Sequence, residues 1–132
     1  MADEIIDNLP GRDPVLRIKT LPNDANKTGD IFGGWLMSQI DITGALVATK
    51  KTKGHVVTVA VKELVFLKPL FVYDLVSFYA DILKIGKTSI TIKVDVYAER
   101  LTQPGYLKVA EAILVYVAVS GPGIKREIVI ED

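Results

Sequence analysis

The chain has no cysteine and a single histidine among its 132 residues. The first absence removes disulfides, thiolate metal sites and cysteine nucleophiles together. The second leaves no imidazole pair for a histidine-based zinc site and makes most nucleophile–base pairs unavailable. His55 itself follows the end of a helical stretch and opens a β-branched run, the position of a surface or edge histidine. No G-x-G-x-x-G or Walker-type phosphate loop occurs. Charge of either sign is not in excess: Lys plus Arg and Asp plus Glu both number 16. Bulk charge therefore argues against nucleic acid as a partner. No apolar run approaches the roughly 18 residues that a membrane helix needs. The stretch from Met1 to Pro10 is acidic and polar, without a signal-type apolar core. The expectation is a cytoplasmic protein that meets neither membrane nor nucleic acid.

Hydrophobic residues make up 49% and charged residues 24%, the balance of a globular chain. The length suits one domain over 1–132, with a loose lead-in over 1–12 and a tail over 121–132. Residues 13–21 carry a short first strand. Pro22 to Asp30 gathers Pro, Asn, Asp and Gly into an ordered turn, with Asp30 as a cap for the helix that follows. From Gly33 to about Lys53 there is no proline and a wide apolar surface, which predicts the one long helix. Lys50, Lys51 and Lys53 suit its negative end, and Gly54 reads as the stop. Its apolar residues cover most of the circumference, so it should be largely surrounded, with Trp35 and Met37 in the core. Beyond it come four strands with short turns: Val56 to Leu67, Leu75 to Ile85, Thr88 to Arg100 and Leu107 to Val119. Short connections favour antiparallel neighbours. One sheet wrapped around one helix accommodates the pattern.

Asp41 is a single carboxylate on this otherwise apolar helix, and it costs free energy there unless something uses or pairs it. It shares a helical face with Met37, Gly44, Ala45 and Ala48. The small residues leave room beside it for a narrow ligand or a close backbone. An ionised, partly buried carboxylate can deprotonate water or attack an acyl carbon. Equally, it can be satisfied by Thr43 or by backbone groups, or face solvent. Gly33-Gly34 gives a tight helix entry, and its free N–H groups can hold a carbonyl or oxyanion. Asn26 can bind a water or a carbonyl, or simply shape its turn.

These residues carry a resemblance. Residues 22–41, P-N-D-A-N-K-T-G-D-I-F-G-G-W-L-M-S-Q-I-D, resemble the signature of the hotdog-fold acyl-coenzyme A thioesterases, specifically the bacterial YciA-like group. The likeness continues through V-V-T-V-A-V at 56–61, F-L-K-P-L at 66–70, G-K-T-S-I at 86–90 and A-E-A-I-L-V-Y-V-A-V at 110–119. It implies an α+β hotdog fold, one long helix wrapped by a five-stranded antiparallel sheet. It implies hydrolysis of acyl-CoA to a free acid and coenzyme A, with Asp41 as general base or nucleophile. Asn26 then places water or carbonyl, and the backbone of Gly33 and Gly34 polarises the thioester. No metal and no cofactor are implied, coenzyme A being part of the substrate. Gly86, Thr88 and Ser89 match the turn lining the coenzyme A path, and Lys62, Lys68, Lys84 and Lys87 are candidates for its phosphates. The implied assembly is a homo-oligomer with the dimer as unit, three dimers forming a hexamer, and Asn26 and Asp41 of one site coming from different subunits. Two departures stand out: the family often has an acidic residue at the place of Lys62 and a glycine at the place of Tyr73.

Two other readings compete. A hotdog hydratase or dehydratase generally needs a catalytic histidine, which His55 does not supply from its position. A non-catalytic acyl-CoA-binding or regulatory domain would be favoured by loss of Asp41 or Asn26, and both are present.

Overall fold

Alternating apolar residues build the sheet. In Ser89–Glu99 (β4), Ile90, Ile92, Val94 and Val96 are wholly buried while the residues between them are half-buried. In the computed structural model, which describes residues 5–130, this strand lies at the middle of an antiparallel sheet. Its companions are Leu16–Lys19 (β1), Val56–Phe66 (β2), Leu75–Ile85 (β3) and Leu107–Gly121 (β5), in the order β1-β3-β4-β5-β2. The hotdog architecture holds, with one addition: Ile124–Lys125 (β6) pairs with β5, so the sheet has six strands rather than five.

The helix α1, Gly33–Thr52, crosses the inner face of this sheet. Leu36, Ile40, Thr43, Gly44, Ala48 and Thr52 form its buried stripe. The remaining surface is not enclosed. Met37, Ile42 and Leu46 are each more than 40% exposed, so Met37 is no core residue, whereas Trp35 packs partly buried against the core. The apolar circumference thus exceeds what one sheet of one protomer covers. The same holds for β2, an edge strand whose Val57, Val59 and Val61 are exposed.

The helix start differs from the sequence expectation, and its end falls just before Gly54 as expected but with another residue left-handed. The N-cap is Phe32, which offers no side-chain acceptor, and Asp30 is not the cap. At the other end Lys53, not Gly54, takes the left-handed conformation, with φ 56°. Gly54 instead leaves room for Arg126: a Cβ there would lie 2.8 Å from the guanidinium. Arg126 donates to Thr52 O at 2.9 Å, supplying a donor to a carbonyl that the helix end leaves unpaired, and also lies 3.4 Å from His55 O at the start of β2.

The segments flanking the sheet are tied to it. Ile6 and Tyr106 exchange backbone hydrogen bonds of 2.9 Å, and Arg12 grips both oxygens of Asp81 at 2.8 and 2.9 Å. Ile128 is buried and its N–H donates to Lys87 O at 2.8 Å. Among the described residues no helix is long and apolar enough to cross a membrane.

Candidate active site

Three-to-four-residue spacing places Gly34, Met37, Ser38 and Asp41 along one flank of α1. Facing them across a cleft of about 280 Å³ are Thr58, Val61 and Leu64 of β2 with Ala112 and Leu114 of β5. The β2 side is unusual. Strand side chains normally share a face at every second residue. Here Val59 and Lys62 fall out of the pairing, so Thr58, Val61 and Leu64 stand opposite Tyr116, Leu114 and Ala112. Two bulges thereby convert a period of two into a period of three, and all three residues reach the cleft.

Asp41 is half-buried and lines this cleft. The Thr58 hydroxyl donates to its Oδ1 at 2.7 Å. The Tyr116 hydroxyl donates to the Asp41 backbone carbonyl at 2.8 Å and lies 3.2 Å from Oδ1. Neither hydroxyl engages Oδ2. Thr43, the sequence candidate for satisfying Asp41, instead donates to Gln39 O at 2.8 Å. Tyr116 is wholly buried, and burial together with the Asp41 charge pushes its hydroxyl well above the usual tyrosine range. The gap left by Gly44 holds no ligand space: a Cβ there would sit 2.2 Å from the Tyr116 hydroxyl oxygen. Neither Tyr116 nor Thr58 stood out in the sequence. Tyr116 looks like one more core residue in a nearly continuous apolar run, and Thr58 like one position of an alternating strand.

The glycine pair opens the helix. Gly34 lines the Asp41 cleft, and Gly33 lines the adjoining cavity of about 330 Å³ with Asp30, Leu36, Phe66 and Lys68. No side chain caps the helix start, and the Trp35 N–H turns back to Phe32 O at 3.1 Å. The amides of Gly33 and Gly34 thus stand at the positive end of the helix dipole without a side-chain acceptor. Asn26 is exposed and does not line the cleft of its own chain. Its N–H donates to Asp30 O at 2.9 Å, while its Oδ1 receives the Thr28 N–H at 2.9 Å. The Thr28 hydroxyl lies within reach of Asn26 Oδ1 at 2.7 Å and Asp30 Oδ1 at 2.5 Å. Hydrogen bonds from Thr28 and from its own backbone hold the Asp30 carboxyl below the usual range. The Asn26 side chain adds a smaller contribution to the same effect, so Asn26, Thr28 and Asp30 form one hydrogen-bonded turn.

The coenzyme A candidates fall in three places. Gly86, Lys87 and Thr88 form the β3–β4 turn into Ser89, closed by the Gly86 N–H on Ser89 O at 2.8 Å. A Cβ at Gly86 would meet the Ser89 hydroxyl at 2.7 Å. Lys84 is exposed just before this turn and Lys62 is exposed on the second bulge of β2. Lys68 lies beyond the far end of β2, its N–H near Val109 O, whereas Lys84 is level with Val115. Six residues of strand separate them, about 20 Å. One protomer therefore does not bring the four lysines together.

Residues 28–104 match the model of the thioesterase superfamily. Over 129 residues, 96% of this chain and 97% of the relative, the sequence is 43% identical to acyl-CoA thioester hydrolase YciA of Salmonella typhimurium. The Escherichia coli K12 protein of that name is 42% identical over 94% of this chain and 96% of its own. Among solved structures, a hexameric thioesterase of Yersinia pestis superposes with TM-score 0.85 at 45% identity, covering 92% of this chain and 99% of that one. A hexameric broad-specificity acyl-coenzyme A thioesterase gives TM-score 0.86 at 41% identity, over 95% of this chain and 86% of that one.

Proposed function

The chain belongs to the thioesterase superfamily, as a YciA-like acyl-CoA thioester hydrolase, and on that premise we propose that Asp41 is the carboxylate that drives the reaction. The observation that carries this is the shared cleft. One wall holds the Asp41 carboxylate, the end of the same helix flank holds the uncapped amides at Gly34, and apart from the Ser38 and Thr58 hydroxyls the rest is apolar. The amides and the Asp41 carboxylate lie two helical turns apart on one flank, about 10 Å, a span for the thioester carbonyl at one end and the attacking group at the other. As general base, Asp41 takes a proton from water, whose oxygen attacks the acyl carbon. The oxyanion forms against the amides of Gly33 and Gly34. When it collapses, the C–S bond breaks and the proton passes to the departing sulfur, giving acid and coenzyme A thiol. As nucleophile, Asp41 instead attacks the acyl carbon itself and the C–S bond breaks, releasing coenzyme A thiolate; water then cleaves the resulting anhydride, freeing the acid and the Asp41 carboxylate and giving its proton to the thiolate.

The site is completed by a second subunit. Asn26 does not reach the cleft of its own chain, which fits an arrangement in which it serves the Asp41 of the partner. The exposed apolar edge of β2 is the surface for that dimer, and three dimers make the hexamer that the Yersinia pestis thioesterase forms. The β3–β4 turn with Gly86, Thr88 and Ser89 then borders the path of coenzyme A, with Lys62, Lys68, Lys84 and Lys87 reaching its phosphates from more than one chain. No metal or cofactor takes part, and the enzyme acts in the cytoplasm. Chelator treatment should leave the rate unchanged.

The test is thiol release from a panel of acyl-CoAs, with subunit mixing. The chain has no cysteine, so a thiol-reactive dye sees product alone. Asn26→Ala and Asp41→Asn should each be inactive. Refolded together they should recover about a quarter of wild-type activity, since half the dimers are mixed and each mixed dimer holds one intact site. No recovery would place both residues in one chain. Coenzyme A binding without thiol release by the wild type would favour the non-catalytic acyl-CoA-binding domain.

A further inference from the structure

We propose that Tyr116 and Thr58 are positioning residues for Asp41: they tie Oδ1 and so leave Oδ2 as the oxygen that meets water or thioester. This rests on the reading of Asp41 as the reacting carboxylate. A free aspartate rotates about a broad, roughly two-fold torsion, and its two oxygens are interchangeable. Here they are not. Thr58 reaches Oδ1 from β2 at 2.7 Å and Tyr116 approaches it from β5 at 3.2 Å, while also holding the Asp41 backbone carbonyl at 2.8 Å. The carboxylate is thereby fixed from two strands at once, its main chain and its side chain in one frame. Catalytic groups need this, because misplacement by an ångström costs about a hundredfold in rate.

The surroundings of Tyr116 are shaped for that contact. A phenylalanine would fill the same core without a hydroxyl to satisfy. Instead the hydroxyl is brought against α1 through the gap at Gly44, where any Cβ would exclude it. Its proton is retained across the working pH range, because burial and the Asp41 charge oppose ionisation. Thr58 reaches Asp41 on the strand where two bulges redirect the inner face. Only the hydroxyl of Thr58 is required by this account, so serine should replace it and valine, of the same shape, should not.

The experiment compares Tyr116→Phe, Thr58→Val, Thr58→Ser and Asp41→Asn in the assembled enzyme, by steady-state thiol release and thermal unfolding. Tyr116→Phe and Thr58→Val should each lower kcat roughly tenfold or more, with KM changed less than about twofold. Thr58→Ser should keep kcat within about threefold of wild type. If Tyr116→Phe does not assemble, the contrast between Thr58→Val and Thr58→Ser decides alone. Full kcat in Thr58→Val, with Asp41→Asn inactive, would overturn the positioning role and leave Asp41 standing. Full kcat in Asp41→Asn would overturn the reading of Asp41 and this proposal with it.

Discussion

Replacing Gly44 with alanine should weaken the protein where helix propensity alone says it should strengthen it. In a helix interior alanine is favoured over glycine by about 1 kcal/mol. At Gly44, however, the added Cβ would lie 2.2 Å from the Tyr116 hydroxyl oxygen and 2.8 and 2.9 Å from its ring carbons Cζ and Cε2. The hydroxyl cannot simply swing aside, because the ring is wholly buried on the interior strand β5. Forcing an extra methyl into a packed core costs about 1–3 kcal/mol. Withdrawing the hydroxyl from Asp41 costs about 1–3 kcal/mol more. The net is a loss of roughly 1–5 kcal/mol after the propensity gain is subtracted. At about 4 °C per kcal/mol for a chain of this size, Tm should fall by roughly 4–20 °C. The assay is thermal unfolding at fixed protomer concentration, which oligomer stability requires, alongside kcat. Gly44→Ala with unchanged or higher Tm and full kcat would refute the contact between Tyr116 and Asp41.

Three further outcomes follow from the same geometry. Because the folded-state pKa of Tyr116 is raised above the ordinary tyrosine range near 10, its contribution to stability is fully present below pH 10 and is lost as pH rises above it. Alkaline denaturation should show an extra slope of about 1.4 kcal/mol per pH unit there, removed by Tyr116→Phe; identical slopes in the two proteins would contradict it. Tyr73 holds φ 71°, a left-handed conformation that a tyrosine adopts at a cost, so Tyr73→Gly should raise stability by about 0.5–1 kcal/mol, less the small loss of the Lys19 contact to its ring; urea denaturation checks the sign. A single turnover in ¹⁸O-water separates the two chemical routes. Label in the Asp41 carboxylate marks an anhydride opened at its Asp41 carbonyl carbon, and the general-base route leaves that carboxylate unlabelled.

The fold was legible where the chain obeys a single period. Alternation in β4 and the proline-free apolar stretch of α1 predicted those elements within a residue or two of their bounds. Legibility failed where partners come from afar in sequence. The last carbonyl of α1, Thr52 O, is paired by Arg126, more than seventy residues on, which also takes the space beside Gly54, and the left-handed residue is Lys53. The apolar circumference of α1 predicted enclosure, yet Met37, Ile42 and Leu46 face outward in one protomer, because a chain that assembles carries interface and core in the same pattern. Asp41 was visible as a lone charge among apolar residues. Thr58 was hidden by the bulges, which break the period that reading a strand relies on. Tyr116 was hidden because a positioning hydroxyl on a core aromatic leaves no mark on hydropathy, and the small neighbour that reveals it, Gly44, read as space for a ligand.

The measurement closest to the central claim is thiol release from acyl-CoA by purified Asp41→Asn, with oligomer size and coenzyme A binding followed in the same samples. Asparagine keeps the shape of the side chain and a carbonyl oxygen for the Thr58 hydroxyl but can neither take a proton from water nor attack an acyl carbon. The account predicts a hydrolysis rate lower by about a thousandfold or more, with assembly and coenzyme A binding intact. Hydrolysis within about tenfold of wild type by an intact oligomer would place the reaction on another group and contradict it.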